Sequence, residues 1–367
     1  MSRTVSVSMN KKPIYDIKLE QDFAGLAPAL EELGFKDRNA VLISDDKVSP
    51  MYSEEVTAEL SKVFEKVTVL TFPAGEESKN LDSVTALLRG MLAAGLKRSD
   101  AVVALGGGVT GDMAGFCAAI YMRGISVIQI PTSLLSMVDS SIGGKTGVDL
   151  DQYKNMVGAF KMPSLVYINT SVLRSLDKRQ FNSGMGEVLK YGLIMDASFY
   201  EWLLSNMVEI DDRESAVLEE MIEHCCICKQ RIVERDPFEQ GDRALLNFGH
   251  TIGHAIEKYK DFKLLHGECV ALGSVAAAYI SWQKGRLSKD EYYEIRDMFV
   301  PFGLPISIDD IDDEEILKLT KSDKKAALNG IKFILLKRVG KAYIEKDLSD
   351  EDILAGIKEI HYVESND

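Results

Sequence analysis

Ala101-Val102-Val103-Ala104-Leu105-Gly106-Gly107-Gly108-Val109-Thr110-Gly111-Asp112 is the stretch that decides the fold. Five apolar residues in a row read as a strand covered on both faces. Three glycines close it, and the helical run Met113 to Tyr121 follows. Gly106, Gly108 and Gly111 satisfy G-x-G-x-x-G. That spacing lets backbone approach a pyrophosphate while a helix N-terminus supplies free N–H groups and positive potential. The pattern alone is weak; the strand before it and the helix after it are the context it needs. No acid ends the next strand, where a ribose ligand usually sits, and Asp45, at the end of an earlier strand, can take that place. The competing reading is a tight turn that requires glycine.

Working outward, Ala40 to Ser44, Val67 to Thr71 and Val127 to Ile130 are further short apolar runs. Helical stretches such as Glu54 to Val63 and Leu81 to Ala94 lie between them. Strands alternating with helices imply a parallel sheet covered on both faces. After about Asp177 the pattern changes to long helices: Gly186 to Met195, Glu214 to Arg235, His250 to Tyr259, Gly267 to Lys284 and Lys289 to Phe299. Leu203 to Met207 ends another, and Lys332 to Ile344 reads as a late hairpin. The expected organisation is therefore an α/β, Rossmann-like domain over 1–177 and a mostly α-helical domain over 178–367. A chain of 367 residues, 46% apolar, is long enough for two cores.

The formal charge of −14 argues against nucleic acid and against an anionic membrane surface. An acidic protein that binds an anionic metabolite must gather Lys and Arg in one pocket. Met1 to Lys12 has no secretory h-region, and the apolar stretch Leu264 to Trp282 carries His266 and Glu268, so it reads as a buried helix rather than a span. Five cysteines, an odd count, read as reduced thiols of a cytoplasmic protein. Cys225-Cys226-Ile227-Cys228 matches C-x-x-C but sits in a helical pattern with no second pair, so core positions are the better reading.

A second glycine cluster, Ser140-Ser141-Ile142-Gly143-Gly144-Lys145-Thr146-Gly147, fails the P-loop spacing because Asp139 stands where the first glycine belongs. Lys145 between glycines is still a plausible anion ligand. Metal candidates come from Asn247-Phe248-Gly249-His250-Thr251-Ile252-Gly253-His254, whose histidines share one helix face, from His266, and from Glu187 in Gly184-Met185-Gly186-Glu187-Val188-Leu189-Lys190. Spacing alone picks His250 with His254 and does not separate that pair from His250 with His266. Arg123, Lys145, Lys154, Lys190, Lys229, Arg243, Lys324 and Lys332 each lie near one of these segments.

The motifs Pro131 to Leu135, Val138 to Gly147, Lys154-Asn155, Gly186-Glu187-Val188, Leu246 to Ala255 and Leu265-His266-Gly267-Glu268 stand in one order from about residue 40 to 340. In this the chain resembles the 3-dehydroquinate synthases, a branch of the sugar phosphate cyclases. The resemblance implies an N-terminal NAD domain, a helical metal domain and an active site in the cleft between them. It implies that Glu187, His250 and His266 hold Zn2+ or Co2+. His254 is then no ligand but a group for proton transfer and substrate contact, with Glu239 as a second proton-transfer group and Lys145 and Lys190 as further catalytic residues. NAD lies against Asp45, Glu76, Lys79, Gly107, Gly108, Val109, Asp112, Thr132, Ser133, Lys145, Lys154, Arg174 and Ser175. Ser133 and Ser175 stand where the family usually has Thr. Substrate contacts carry over to Asp139, Lys145, Asn155, Lys190, Lys229, Arg243, Asn247, His254, Lys324 and Lys332, and Arg123 reaches across a homodimer.

The implied activity, a step of the shikimate pathway to chorismate and the aromatic amino acids, converts 3-deoxy-D-arabino-heptulosonate 7-phosphate to 3-dehydroquinate and phosphate. It uses transient NAD oxidation, phosphate elimination, reduction and aldol closure. A sibling cyclase making a valiolone or inosose would lack some partners for the carboxylate, so Lys229, Arg243, Asn247 and His254 together count against it. A metal-dependent alcohol or glycerol dehydrogenase would accumulate NADH.

Overall fold

The computed structural model describes residues 3–151, 153–322 and 332–362. The chain opens with β1 (Arg3–Met9) and β2 (Lys12–Glu20), followed by α1 (Leu26–Glu32), β3 (Asn39–Asp45), α2 (Ser49–Leu60) and β4 (Lys66–Phe72). Then come α3 (Leu81–Ala93), β5 (Ala101–Gly106), α4 (Gly108–Ile120), β6 (Ser126–Pro131), β7 (Lys145–Leu150), β8 (Tyr153–Phe160) and β9 (Leu165–Asn169). Seven strands form one sheet in the order β1-β2-β9-β6-β5-β3-β4. All its pairings are parallel except that of β1 with β2. Interior strands of such a sheet are covered on both faces, which is why β5 and β9 are buried at every residue. Burying each Val, Leu or Ile there stabilises the sheet by roughly 1.5–3 kcal/mol. The helix after the glycines starts at Gly108, five residues before the expected Met113. The last glycine of the motif, Gly111, thus lies in its first turn, where its carbonyl accepts from Gln129 Nε2 at 3.1 Å.

The second half runs α5 (Lys178–Met195), α6 (Ala197–Ser205), α7 (Met207–Asp211), α8 (Ser215–Arg235), α9 (His250–Tyr259), α10 (His266–Gln283), α11 (Lys289–Asp297) and α12 (Asp313–Ser322). The expected late hairpin is β10 (Phe333–Arg338) with β11 (Lys341–Glu345), and α13 (Asp350–Ile360) follows. The long central helix α10 is buried along almost its whole length and packs against α5, α9, α11, α13 and β10. Among the described residues, no helix is long and apolar enough to cross a membrane.

Contacts divide the chain into two compact units, Met1–Leu176 with Leu218–Phe238, and Asp177–Val217 with Glu239–Asp367. The first unit takes in the chain up to Leu176, and from Leu218 onward α8 belongs to this sheet-bearing unit. Side-chain pairing explains the exchange. Glu223 and Glu219 pair with Arg3, Glu234 accepts from Ser8 N at 2.6 Å, and Lys229 Nζ reaches Asp139 Oδ1 at 2.7 Å.

Candidate active site

In the helical unit, α5 and α10 meet at two glycines. A Cβ at Gly267 would stand 1.7 Å from the Ser183 carbonyl oxygen, so only glycine allows the crossing. That approach sets Glu187, on α5, against His266, the first residue of α10. Gly249, at φ 79°, turns the chain into α9 and places His250 at that helix's start.

Glu187 is fully buried, and its Oε1 lies 3.2 Å from His266 Nε2 and 3.4 Å from His250 Nε2. Its Oε2 is ion-paired with Lys190, one turn on and equally buried. Burial alone would raise the carboxyl, but Lys190 and His250 hold it well below the usual carboxylate range. Burial and the Lys190 charge together depress the His250 imidazolium despite Glu187. With Nδ1 of His250 3.0 Å from the Phe248 carbonyl oxygen, that nitrogen carries the proton and Nε2 keeps a lone pair facing Glu187 and His266.

This donor set fits a divalent cation. Tetrahedral ligands about 2.0–2.1 Å from zinc stand about 3.3–3.4 Å apart, close to the separations seen here. All three donor atoms lie within 4.8 Å of one another. A carboxylate with two imidazoles leaves a coordination position open for substrate. A second group, His254, Glu257 and His266, meets the same distance test and shares His266. His254 itself is exposed, its ring centroid 5.2 Å from that of His250 and 5.7 Å from that of His266. Buried Glu257 was missed in the sequence, although 250, 254 and 257 form an i, i+4, i+7 stripe that could have marked it. Asn247 Nδ2 donates to Glu239 Oε1 at 3.3 Å, and Arg243, in the short helical turn Asp242–Asn247, is buried. Lys332 is exposed just before β10; Lys324 lies outside the described residues.

In the sheet-bearing unit, five of the expected contact residues converge. Buried Lys79 donates to Asn155 Oδ1 at 2.7 Å, pairs with Asp112 Oδ2 at 2.7 Å and stands 4.0 Å from Glu76; Lys154 lies 3.4 Å from the same Glu76 oxygen. Burial would lower the Lys79 ammonium, yet Asp112 and Glu76 raise it. Asp149, missed in the sequence, holds Asn155 by its backbone N–H at 2.7 Å. Gly107 caps α4, with Gly108 and Val109 opening its first turn, and Thr132 donates its N–H to the Gly106 carbonyl at 2.9 Å. Ser133 shares a hydrogen-bond pair with Ser136. Asp45 Oδ1 accepts from the N–H groups of Lys47 and Val48, and Oδ2 accepts from Thr110, so the carboxylate already shapes the turn after β3. Asp139 is held by Lys229. Arg123, Lys145, Arg174 and Ser175 are exposed; Ser175 Oγ bonds with the Tyr52 hydroxyl.

Among the described residues, each unit buries two cations, Lys79 and Lys229 in the sheet-bearing unit and Lys190 and Arg243 in the helical one. Lys79, Lys190, Lys229 and Arg243 are 5%, 1%, 4% and 1% exposed, a state such side chains rarely reach without function or pairing. The five cysteines are all free and buried, and burial pushes the Cys117 thiol up to about 12. That agrees with core positions for Cys225, Cys226 and Cys228.

Residues 69–183 match the family described as 3-dehydroquinate synthase N-terminal, and residues 184–326 match 3-dehydroquinate synthase C-terminal. The chain is 40% identical over 356 residues to the 3-dehydroquinate synthase of Desulforamulus reducens, covering 96% of this chain and 98% of that protein. Among solved structures it is similar to a 2-deoxy-scyllo-inosose synthase complexed with carbaglucose-6-phosphate, NAD+ and Co2+. That likeness has a TM-score of 0.87 at 27% identity and covers 97% of this chain and 100% of that one. It is also similar to the 2-epi-5-epi-valiolone synthase of Streptomyces hygroscopicus with NAD+ and Zn2+ bound, with a TM-score of 0.88 at 25% identity over 97% and 99% of the two chains.

Proposed function

The chain belongs to the 3-dehydroquinate synthase family, and from that premise we propose how its residues divide the work. The reaction turns 3-deoxy-D-arabino-heptulosonate 7-phosphate into 3-dehydroquinate and phosphate, a carbon–oxygen lyase step of aromatic biosynthesis. When bound, NAD takes up and returns a hydride, and a divalent ion acts as Lewis acid on the substrate's oxygen.

Glu187, His250 and His266 hold the ion, and Lys190 keeps Glu187 ionised while facing the substrate. The convergence of a carboxylate with an imidazole 79 residues away, 3.2 Å apart, is the observation that carries this reading. His254, exposed beside both ligand imidazoles, moves protons, with Glu239 as its partner group. The acidity of the substrate C–H rises once the neighbouring carbon is a ketone, so modest bases suffice for elimination. Lys145, Asn155, Lys229 and Arg243 hold the phosphate and carboxylate, with Asp139 orienting Lys229 and Asn247 orienting Glu239. Lys324 and Lys332 complete that set.

NAD rests on the first turn of α4 at Gly107, Gly108 and Val109, where free N–H groups suit its pyrophosphate. Asp45, Glu76, Lys79, Asp112, Thr132, Ser133, Lys154, Arg174 and Ser175 surround it. Arg123, on an exposed turn with φ 68°, reaches the partner's site in a homodimer. Five buried reduced thiols support a cytoplasmic location. The test is phosphate release from the heptulosonate phosphate by purified protein, with and without NAD and chelator. Release that needs both NAD and metal, without NADH accumulating, is expected; steady NADH production would instead indicate a dehydrogenase.

A further inference from the structure

Arg179, Ser183 and Glu187 stand at i, i+4 and i+8 on α5 and so share one face. All three address the first turn of α10. Arg179 holds Glu268 in a fork, Nε to Oε1 at 2.7 Å and Nη2 to Oε2 at 2.8 Å, and its Nη2 also donates to the Lys263 carbonyl at 3.2 Å. Ser183 Oγ accepts the Gly267 N–H at 3.0 Å. Glu187 faces His266. Glu268 in turn accepts the Leu265 N–H at 2.8 Å, tying the chain immediately before His266. Asp177 anchors the outer end of the stripe by accepting the N–H groups of Arg179 and Gln180.

We propose that Arg179 and Glu268 are positioning residues for the ion: their fork clamps the Lys263 to Leu265 segment onto α5 and thereby fixes the His266 ring relative to Glu187. This rests on the reading that Glu187, His250 and His266 hold a divalent cation. The physical reason is directional. His266 opens α10, so the path of the three residues before it sets where its ring points. That path is tied to α5 through a planar guanidinium on a side chain that is 55% exposed and a carboxylate on one that is 12% exposed. A guanidinium fork resists rotation in a way that a point charge does not. Groups that orient a metal-ligating histidine typically change affinity by about 10–100-fold when removed.

The test compares wild-type protein with Arg179→Met, Arg179→Lys and Glu268→Gln. It measures the zinc dissociation constant by chelator competition, the visible absorption of the Co2+-loaded protein, and the thermal midpoint with and without metal. Arg179→Met is expected to weaken zinc about tenfold and to change the Co2+ band, with Arg179→Lys falling between it and wild type. A purely structural pair would lower the metal-free and metal-loaded midpoints equally and leave affinity and band untouched; that result overturns the proposal. If Arg179→Met does not fold, the same readouts on Arg179→Lys and Glu268→Gln decide, and wild-type values in both count against it. Glu187→Ala run alongside separates the layers. If it keeps full zinc affinity, the ligand reading itself has failed; if it loses zinc while Arg179→Met does not, only the clamp has.

Discussion

At Glu187 one carboxylate faces an ammonium and two imidazoles, whereas at Lys79 one ammonium faces Asp112, Asn155 and Glu76. The first cluster brings one carboxylate and two imidazole donor atoms within 4.8 Å of one another, beside the ammonium that pairs with the other carboxylate oxygen. Such a set gains from a cation. In the second cluster the ammonium is matched by carboxylates of the same unit, so it offers little net charge to a ligand. What it offers is order: Lys79 ties Asn155 to Asp112, which stands just past the first turn of α4. On the proposed reading, the difference separates a centre that binds a cation by charge from a cradle that binds the cofactor by hydrogen bonding and shape.

The largest effect that tests this contrast is at Glu187. Glu187→Gln should abolish metal binding and also destabilise the protein by about 3–5 kcal/mol, because Lys190 is left buried without its partner. Urea unfolding with metal analysis reads both. Adding Lys190→Met should restore most of the stability but none of the metal; recovery of both would erase the distinction. Next comes Lys79→Met. Its neighbour Asp112 keeps some solvent contact, so the loss should be about 1–3 kcal/mol, with weaker NAD binding and unchanged metal content. Asp112→Asn should not add to it fully, the pair coupling by about 0.5–3 kcal/mol in a double-mutant cycle.

The same ammonium predicts a pH effect. Its folded pKa lies above the ordinary 10.5, so the stability it contributes is fully present below that value. It is lost as the pH rises through the higher folded value. Unfolding curves taken above pH 10.5 should fall more steeply for wild type than for Lys79→Met. The smallest effect is at the C-x-x-C helix positions: Cys225→Ala or Cys228→Ala should cost about 1 kcal/mol and leave metal stoichiometry unchanged. A loss of metal there would move the centre elsewhere.

The interior strands β3, β5 and β6 were legible because burial on both faces makes them plain apolar runs. β7 and β8 were not, since Tyr153 to Phe160 alternates half-buried and exposed residues and carries Lys, Asn and Gly. β9, Leu165–Asn169, is buried at every residue and opens on an apolar run as long as the one that marks β6, so it was legible by the same pattern, though absent from the expected strands. α5 begins eight residues before its visible apolar pattern, at Lys178, because Asp177 caps it there and its first turns are polar. The exchange of α8 between units depends on ion pairs across more than 200 residues, such as Arg3 with Glu223, which no local pattern encodes. At the site, helical spacing favoured His250 with His254. Spacing left the pair of His250 with His266 open, and the approach of α10 to α5 through Gly267 brings His266 to Glu187, the grouping that the family likeness implies. The pairing of Lys79 with Asp112 and of Arg179 with Glu268 left no mark in the sequence, because neither partner lies within a turn of the other.

X-ray absorption on the zinc- or cobalt-loaded protein tests the central claim most directly. One ion per chain, ligated by two imidazoles and at least one oxygen and losing one imidazole in His266→Ala but none in His254→Ala, is the predicted outcome. A shell with sulfur, or one that loses its imidazole in His254→Ala and keeps it in His266→Ala, would contradict the account.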